Sequence, residues 1–229
     1  RAVTPKTKAL IVNSPHNPTG MVASDDELRA LAELAVSADL VVVTDEVYEH
    51  LVFDGVAHAS VLAHEELYQR SFVVSSFGKT YHCTGWKVGY CVAPPALSAE
   101  FRKVHQYLTF CTFNPAQWAF ADVLESDPRH WLDLPAFYQA KRDHFSALLA
   151  GTPFRLLPVS GAYFQVADYS AISGLDDLAF CEWLAREKGV AAIPLSAFYE
   201  SPPPSKLIRF CFAKTGATLQ AAAQRLRAL

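Results

Sequence analysis

Leu40-Val41-Val42-Val43 has no polar residue in it, and it runs straight into Thr44-Asp45-Glu46-Val47-Tyr48. An unbroken β-branched run offers no wet face, so it predicts a buried strand covered on both sides, as in a parallel sheet flanked by helices. Two further short apolar runs end in the same abrupt way. Ala9 to Val12 stops at Asn13 and Ser14-Pro15-His16-Asn17-Pro18-Thr19-Gly20, and Phe72 to Ser75 stops at Ser76-Phe77-Gly78-Lys79. Ligands of open α/β sheets lie outside the carboxyl ends of the strands. Three polar clusters at three strand ends therefore predict one shared ligand site.

The remaining pattern fills in an α/β layer. Ser24-Asp25-Asp26-Glu27 has capping-box spacing, and Leu28, Leu31, Ala32 and Ala35 recur at helical period, which predicts a helix to about Ser37. Val88 to Ala93 reads as a fourth strand stopped by Pro94-Pro95. Phe101, Val104, His105 and Leu108 mark another helix. After Asp127-Pro128 the order changes: a helix over Leu134 to Leu149, strands at Phe154 to Leu157, Tyr163 to Ala167, Ala191 to Ile193 and Leu207 to Phe212, a helix from Leu178 to Lys188 stopped by Gly189, and a closing helix through Leu219 and Leu226. The reading is a larger α/β domain over 1–127 and a smaller α+β domain over 128–229.

Composition narrows the partners. The chain has 229 residues, with 20 Lys+Arg against 23 Asp+Glu and a net charge of −3. A nucleic-acid or membrane-surface binder would carry a basic patch, and no such run exists. The apolar runs are too short to span a bilayer, and no signal-peptide pattern opens the chain. Five scattered cysteines without a CxxC pair fit neither zinc nor a disulfide framework, and favour a reducing cytoplasm. The first residue is Arg1 and the single methionine is Met21, so the chain reads as a piece of a longer protein.

Several residues at these strand ends could carry chemistry. Lys79, just past a buried strand, can be partly desolvated and act as a nucleophile or Schiff-base amine; taken alone, the solvated loop lysine is the favoured reading. Asp45, at the end of the buried run, needs a cation or donors to stay ionised, or else caps a helix. Tyr48 offers a phenol near Asp45, or is only a half-buried aromatic. Asn17-Pro18 sits in a loop stiff enough to fix the Asn17 side chain, and its peptide bond can be cis. Lys87, within Gly85-Trp86-Lys87-Val88-Gly89, can aim a cation at an anion across glycine-lined backbone, and as a plain surface lysine would do nothing. Arg209 interrupts the apolar strand Leu-Ile-Arg-Phe-Cys-Phe, where its guanidinium calls for a carboxylate, either a ligand's or an acidic side chain's.

Taken together, Asn17-Pro18-Thr19-Gly20, Asp45-Glu46-Val47-Tyr48, Ser76-Phe77-Gly78-Lys79 followed by Gly85-Trp86-Lys87-Val88-Gly89, and Arg209 in the last strand resemble the class I/II aminotransferases of the fold-type I pyridoxal-phosphate superfamily. Ser75 to Ala93 with Lys103-Val104-His105-Gln106-Tyr107 is similar to the bacterial methionine aminotransferases and the kynurenine (glutamine) aminotransferases. The resemblance implies that Lys79 forms a Schiff base with pyridoxal phosphate and then moves the substrate's α-proton. It implies that Asp45 pairs with the pyridine nitrogen, that Tyr48 and Asn17 hydrogen-bond the ring oxygen, that Ser76 and Lys87 contact the phosphate, and that Asn17 and Arg209 bind the substrate, with Arg209 on its carboxylate.

The resemblance also implies an incomplete large domain with a mainly parallel sheet, since the family's large domain begins well before Arg1 and carries there a phosphate-binding turn and the aromatic that stacks on the ring. The fragment alone is then expected to bind cofactor weakly, or only through Lys79, and to expose apolar sheet edges. The family implies a homodimer acting on amino acids and 2-oxo acids. No second cation awaits a side-chain carboxylate, and Tyr107, Phe110 and Phe113 offer apolar surface, so the expected substrate has a neutral, sulfur-containing or aromatic side chain. Two other readings keep the same residues: β-elimination from cysteine conjugates, and an effector-binding domain of a transcription regulator.

Overall fold

The computed structural model describes residues 2–229 and divides into two compact units, Arg1–Pro15 with Val22–Leu134, and His16–Met21 with Pro135–Leu229. In the first unit four strands, β1 (Ala9–Asn13), β2 (Val41–Asp45), β3 (Ser71–Ser76) and β4 (Gly89–Val92), form one sheet in that order. The first three are parallel and β4 runs antiparallel to β3. The helices are α1 (Asp25–Ser37), the single turns α2 (Glu65–Tyr68) and α3 (Phe77–Thr80), then α4 (Pro95–Leu108) and α5 (Asn114–Ser126).

Helix α1 begins where the sequence predicts it. The Ser24 hydroxyl accepts from the Glu27 amide at 3.2 Å and the Glu27 carboxylate accepts from the Ser24 amide at 2.8 Å, so two orphan donors are satisfied reciprocally. Its apolar face, Leu28, Ala32 and Ala35, packs with Leu40, Val42, Val61, Leu67 and Val73 into the main core. Each Leu or Val buried there stabilises the fold by roughly 1.5–3 kcal/mol.

β2 is not closed on both faces as its run predicts. Val42 and Thr44 are buried, but Val41 and Val43 on the opposite face are half-buried, and Ile11, in register with Val43, is 81% exposed. On that face Phe72 meets Phe101 of α4 with ring centres 6.2 Å apart, and α4 has no buried residue of its own. Helix α5 is not anticipated from the sequence. It buries just Ala116 and Phe120, against Val88, Phe77 and Tyr81.

The long helix α6 (Arg129–Leu149) passes through the division at Leu134 and Pro135 and starts five residues earlier than its apolar pattern predicts. The second unit holds β5 (Arg155–Leu156), β6 (Phe164–Asp168), β7 (Ile193–Pro194) and β8 (Leu207–Cys211), an antiparallel sheet in the order β5-β6-β8-β7. The outer two strands are two residues each, shorter than read. Helix α7 (Asp177–Lys188) ends on Gly189 at φ 62°, and α8 (Gly216–Leu226) closes the chain. Tyr169 and Phe180 stack at 4.0 Å in this core, with Leu184, Ile208 and Leu226 fully buried. Among the described residues no helix is long and apolar enough to cross a membrane, and all five cysteines are free.

Candidate active site

In the first unit the chain leaves β2 at Asp45, whose backbone carbonyl accepts from the Asn13 side-chain amide at 2.8 Å and the Ser14 amide at 3.1 Å. The Asp45 carboxylate accepts from the Val47 amide at 3.2 Å, an Asx turn that starts the bend. Tyr48 follows, 3% exposed. Asp45 is level with Val74 in β3, so the end of β2 lies beside the segment that leads to Lys79.

Ser76 ends β3 and caps α3, its hydroxyl accepting from the Gly78 amide at 3.1 Å. Lys79 is half-buried in that turn, its Nζ 6.0 Å from the centre of the Tyr48 ring. The turn is held from the other side too. Phe77 N–H donates to the Val88 carbonyl at 3.2 Å, and Thr84 Oγ1 donates to the Gly78 carbonyl at 3.3 Å. A Cβ on Gly78 would lie 3.0 Å from Thr84 Cα, and one on Gly89 would lie 2.5 Å from the Ser75 carbonyl oxygen, so both glycines allow backbones to touch. Lys87 sits exposed at φ 55° between those two close approaches.

Two residues of this turn were not singled out from the sequence. Glu46 is 3% exposed; its carboxylate accepts from His58 Nε2 at 2.8 Å and the Val61 amide at 3.0 Å. Burial alone would raise its pKa, but the hydrogen bonds from His58, Ser60 and Val61 and the His58 charge outweigh burial and hold it below the usual value. Glu49 accepts from Ser75 Oγ at 2.8 Å and from the Tyr90 hydroxyl at 2.5 Å, and burial with that bond pushes the Tyr90 phenol up to about 12. The only hint in the sequence is that the acidic residues recur within one strand-end turn.

The second unit contains Asn17 and Arg209. The Ser14–Pro15 and Asn17–Pro18 peptide bonds are cis. Gly20 at φ 72° accepts from the Ser160 and Gly161 amides at 3.0 and 2.8 Å, which clamps the His16–Met21 loop. Arg209 on β8 donates from Nη1 to Asn17 Oδ1 at 2.5 Å, and its guanidinium carbon lies 4.1 Å from the Phe164 ring centre. A stacked, hydrogen-bonded guanidinium has one orientation, suited to a planar carboxylate. Next to it is a cavity of about 660 Å³ lined by His16, Asn17, Val166, Leu195, Phe198 and Tyr199 among others. His16 Nδ1 lies 2.7 Å from Thr19 Oγ1, and burial lowers the ring's pKa.

The structure thus brings Asp45, Tyr48, Ser76, Lys79 and Lys87 into one unit and Asn17 and Arg209 into the other. The described residues contain no group of three or more acidic, His or Cys side chains able to hold a metal.

Comparisons with known proteins supply the family. The family model for aminotransferase class I and II matches residues 1–226. The methionine aminotransferase of Escherichia coli strain K12 is 55% identical over 224 residues, a match covering 98% of this chain and 58% of the relative. A probable N-succinyldiaminopimelate aminotransferase of Mycobacterium tuberculosis is 42% identical over 238 residues, covering 100% of this chain and 60% of its own. The crystal structure of an Escherichia coli protein with an identified methionine aminotransferase function superposes with a TM-score of 0.96 at 54% identity, covering 100% of this chain and 60% of that one. The chain therefore spans about 60% of the length of the relatives it matches.

Proposed function

Because the chain belongs to the class I and II aminotransferases, which work with pyridoxal phosphate, we propose that it serves the transfer of an amino group from a neutral, sulfur-containing or aromatic amino acid, methionine-like, to a 2-oxo acid. The observation that carries this reading is the Lys79 amine, half-buried beyond β3 and 6.0 Å from the Tyr48 ring, while Asp45 ends the neighbouring strand.

The donor set of the first unit fits the cofactor's chemistry. An amine suits its aldehyde, a carboxylate its ring nitrogen, a phenol its ring hydroxyl, and a hydroxyl plus a second lysine its phosphate. When bound, the cofactor supplies an electron-withdrawing ring that accepts the charge left as the substrate's α-proton departs. Lys79 would hold the cofactor through its amine and, with that amine free, would take up the substrate's α-proton as base and return it as acid. Asp45 would keep a proton on the ring nitrogen. Tyr48 would donate to the ring oxygen, Ser76 would offer the phosphate a neutral donor, and Lys87 would offer it a point charge.

In the second unit Arg209 receives the α-carboxylate. Its guanidinium is already oriented by Asn17 and by Phe164, so little ordering remains when the substrate arrives. Asn17 fixes that cation and contributes to substrate and cofactor binding. Residues 1–127 serve the cofactor and residues 128–229 form the smaller domain. A homodimer in the cytoplasm completes the proposal; it is supported by the habit of the family and by the exposed Tyr107, Leu108, Phe110, Phe113 and Trp118 of the first unit. The β-elimination and effector-domain readings gain nothing from the relatives, which are named as aminotransferases.

Substrate choice is tested by steady-state kinetics of the full-length protein with methionine and aspartate as competing donors. Methionine should give the larger kcat/KM; a larger value for aspartate overturns the substrate assignment.

A further inference from the structure

The bend after β2 carries Asp45 and Tyr48, and alternating with them Glu46 and Glu49, whose carboxylates are turned to other partners. Glu46 is fastened to the 58–61 segment. Glu49 is fastened to the sheet, and in a particular way. Its Oε1 accepts both the Ser75 hydroxyl at 2.8 Å and the Tyr90 hydroxyl at 2.5 Å. Ser75 and Tyr90 are register partners across β3 and β4. One carboxylate oxygen therefore bridges two strands at a single rung, one residue before Ser76 and four before Lys79.

We infer that Glu49 is a positioning residue: it ties the turn bearing Tyr48 to the strand that delivers Lys79, and so fixes the phenol ring against the lysine amine. Within the turn, the Glu49 amide donates to the Glu46 carbonyl at 2.8 Å and the Leu51 amide to the Tyr48 carbonyl at 2.8 Å, so Tyr48 moves with its neighbours. Two hydroxyls given to one ionised oxygen make short, directional, charge-assisted bonds, which resist the small rotations that would swing Tyr48 away. His50 Nε2 also lies 3.9 Å from the same oxygen, and the Glu46 charge acts on the Tyr90 hydroxyl. Burial lowers the His50 pKa, only partly offset by Glu49, so the hydroxyls hold the carboxylate without help from a full ion pair.

The functional half of this inference rests on the proposed role of Lys79, and the test separates the two. Glu49→Gln, Glu49→Ala and the milder Tyr90→Phe would be made in the full-length protein. Amide hydrogen exchange over 46–51, measured without cofactor, reads the tether itself. The variants should exchange about tenfold faster there or more, in the order Ala, then Gln, then wild type, because a bond to a charged acceptor has been weakened. The rate at which borohydride traps pyridoxal phosphate on Lys79, followed against pH, reads the consequence. Its midpoint should shift in all three variants while Tyr90→Phe keeps its melting temperature close to wild type. Unchanged exchange overturns the tether. Faster exchange with an unshifted midpoint leaves Glu49 a structural bond only and overturns its positioning role. A wild type that never labels at Lys79 sinks the proposed function, and with it the functional half of this inference, whereas labelling that is identical in wild type and variants sinks the inference alone.

Discussion

Glu46 shows how one side chain can report on the whole strand-end bend. Its folded pKa lies below the ordinary value of 4.5, because hydrogen bonds and the His58 charge outweigh burial. The unfolded chain therefore takes up a proton at higher pH than the fold does. The resulting stabilisation is complete above about pH 4.5 and is lost as pH falls through the lower folded value. Glu46→Gln should cost roughly 1.5–3 kcal/mol at neutral pH, and the gap from wild type should narrow towards pH 4. Urea unfolding at both pH values checks this, and an equal gap at the two would contradict it. As candidates, Arg209 and Asp45 were legible in the sequence because one interrupts an apolar strand and the other closely follows one, and Tyr48 and Lys79 because each lies a few residues past the end of such a run. The partners of Glu46 and Glu49 were not, since Val61, Ser75 and Tyr90 lie 15, 26 and 41 residues away and nothing local marks them.

Among the elements, β4 is the one on which the lysine turn depends most directly. Gly89 faces Ser76 across the rung that ends β3, and the backbones there are close enough that a Cβ would lie 2.5 Å from the Ser75 carbonyl oxygen. Gly89→Ala should part the two strands and destabilise the fold by about 1–3 kcal/mol. Thermal melting checks this; an unchanged midpoint would show that the strands accommodate the methyl group. β4 was legible as a strand, but its antiparallel direction was not, because direction is set by the tight return through 81–88 and not by hydropathy. Helix α1 was readable from its capping box and α7 from Gly189. Helix α5 was not, since Trp118 and Leu124 stay exposed and its two buried positions make too narrow a stripe. The helix read from Leu134 begins at Arg129 instead, with Pro135 inside it.

At the scale of the molecule, the residues assigned to the cofactor's aldehyde, ring nitrogen and phosphate all belong to the first unit, although the chain spans about 60% of its relatives' length. The exposed Ile11 on edge strand β1 fits the expectation of uncovered apolar sheet surface. Lys79, among all the lysines, is the amine proposed to capture pyridoxal phosphate. The most direct test of that role is to add the cofactor to the purified chain, reduce with borohydride, weigh the intact protein and map the labelled peptide. Labelling is expected at a single site, Lys79, and is absent from Lys79→Ala. Label spread over other lysines, or none in either this chain or the full-length protein, would contradict it.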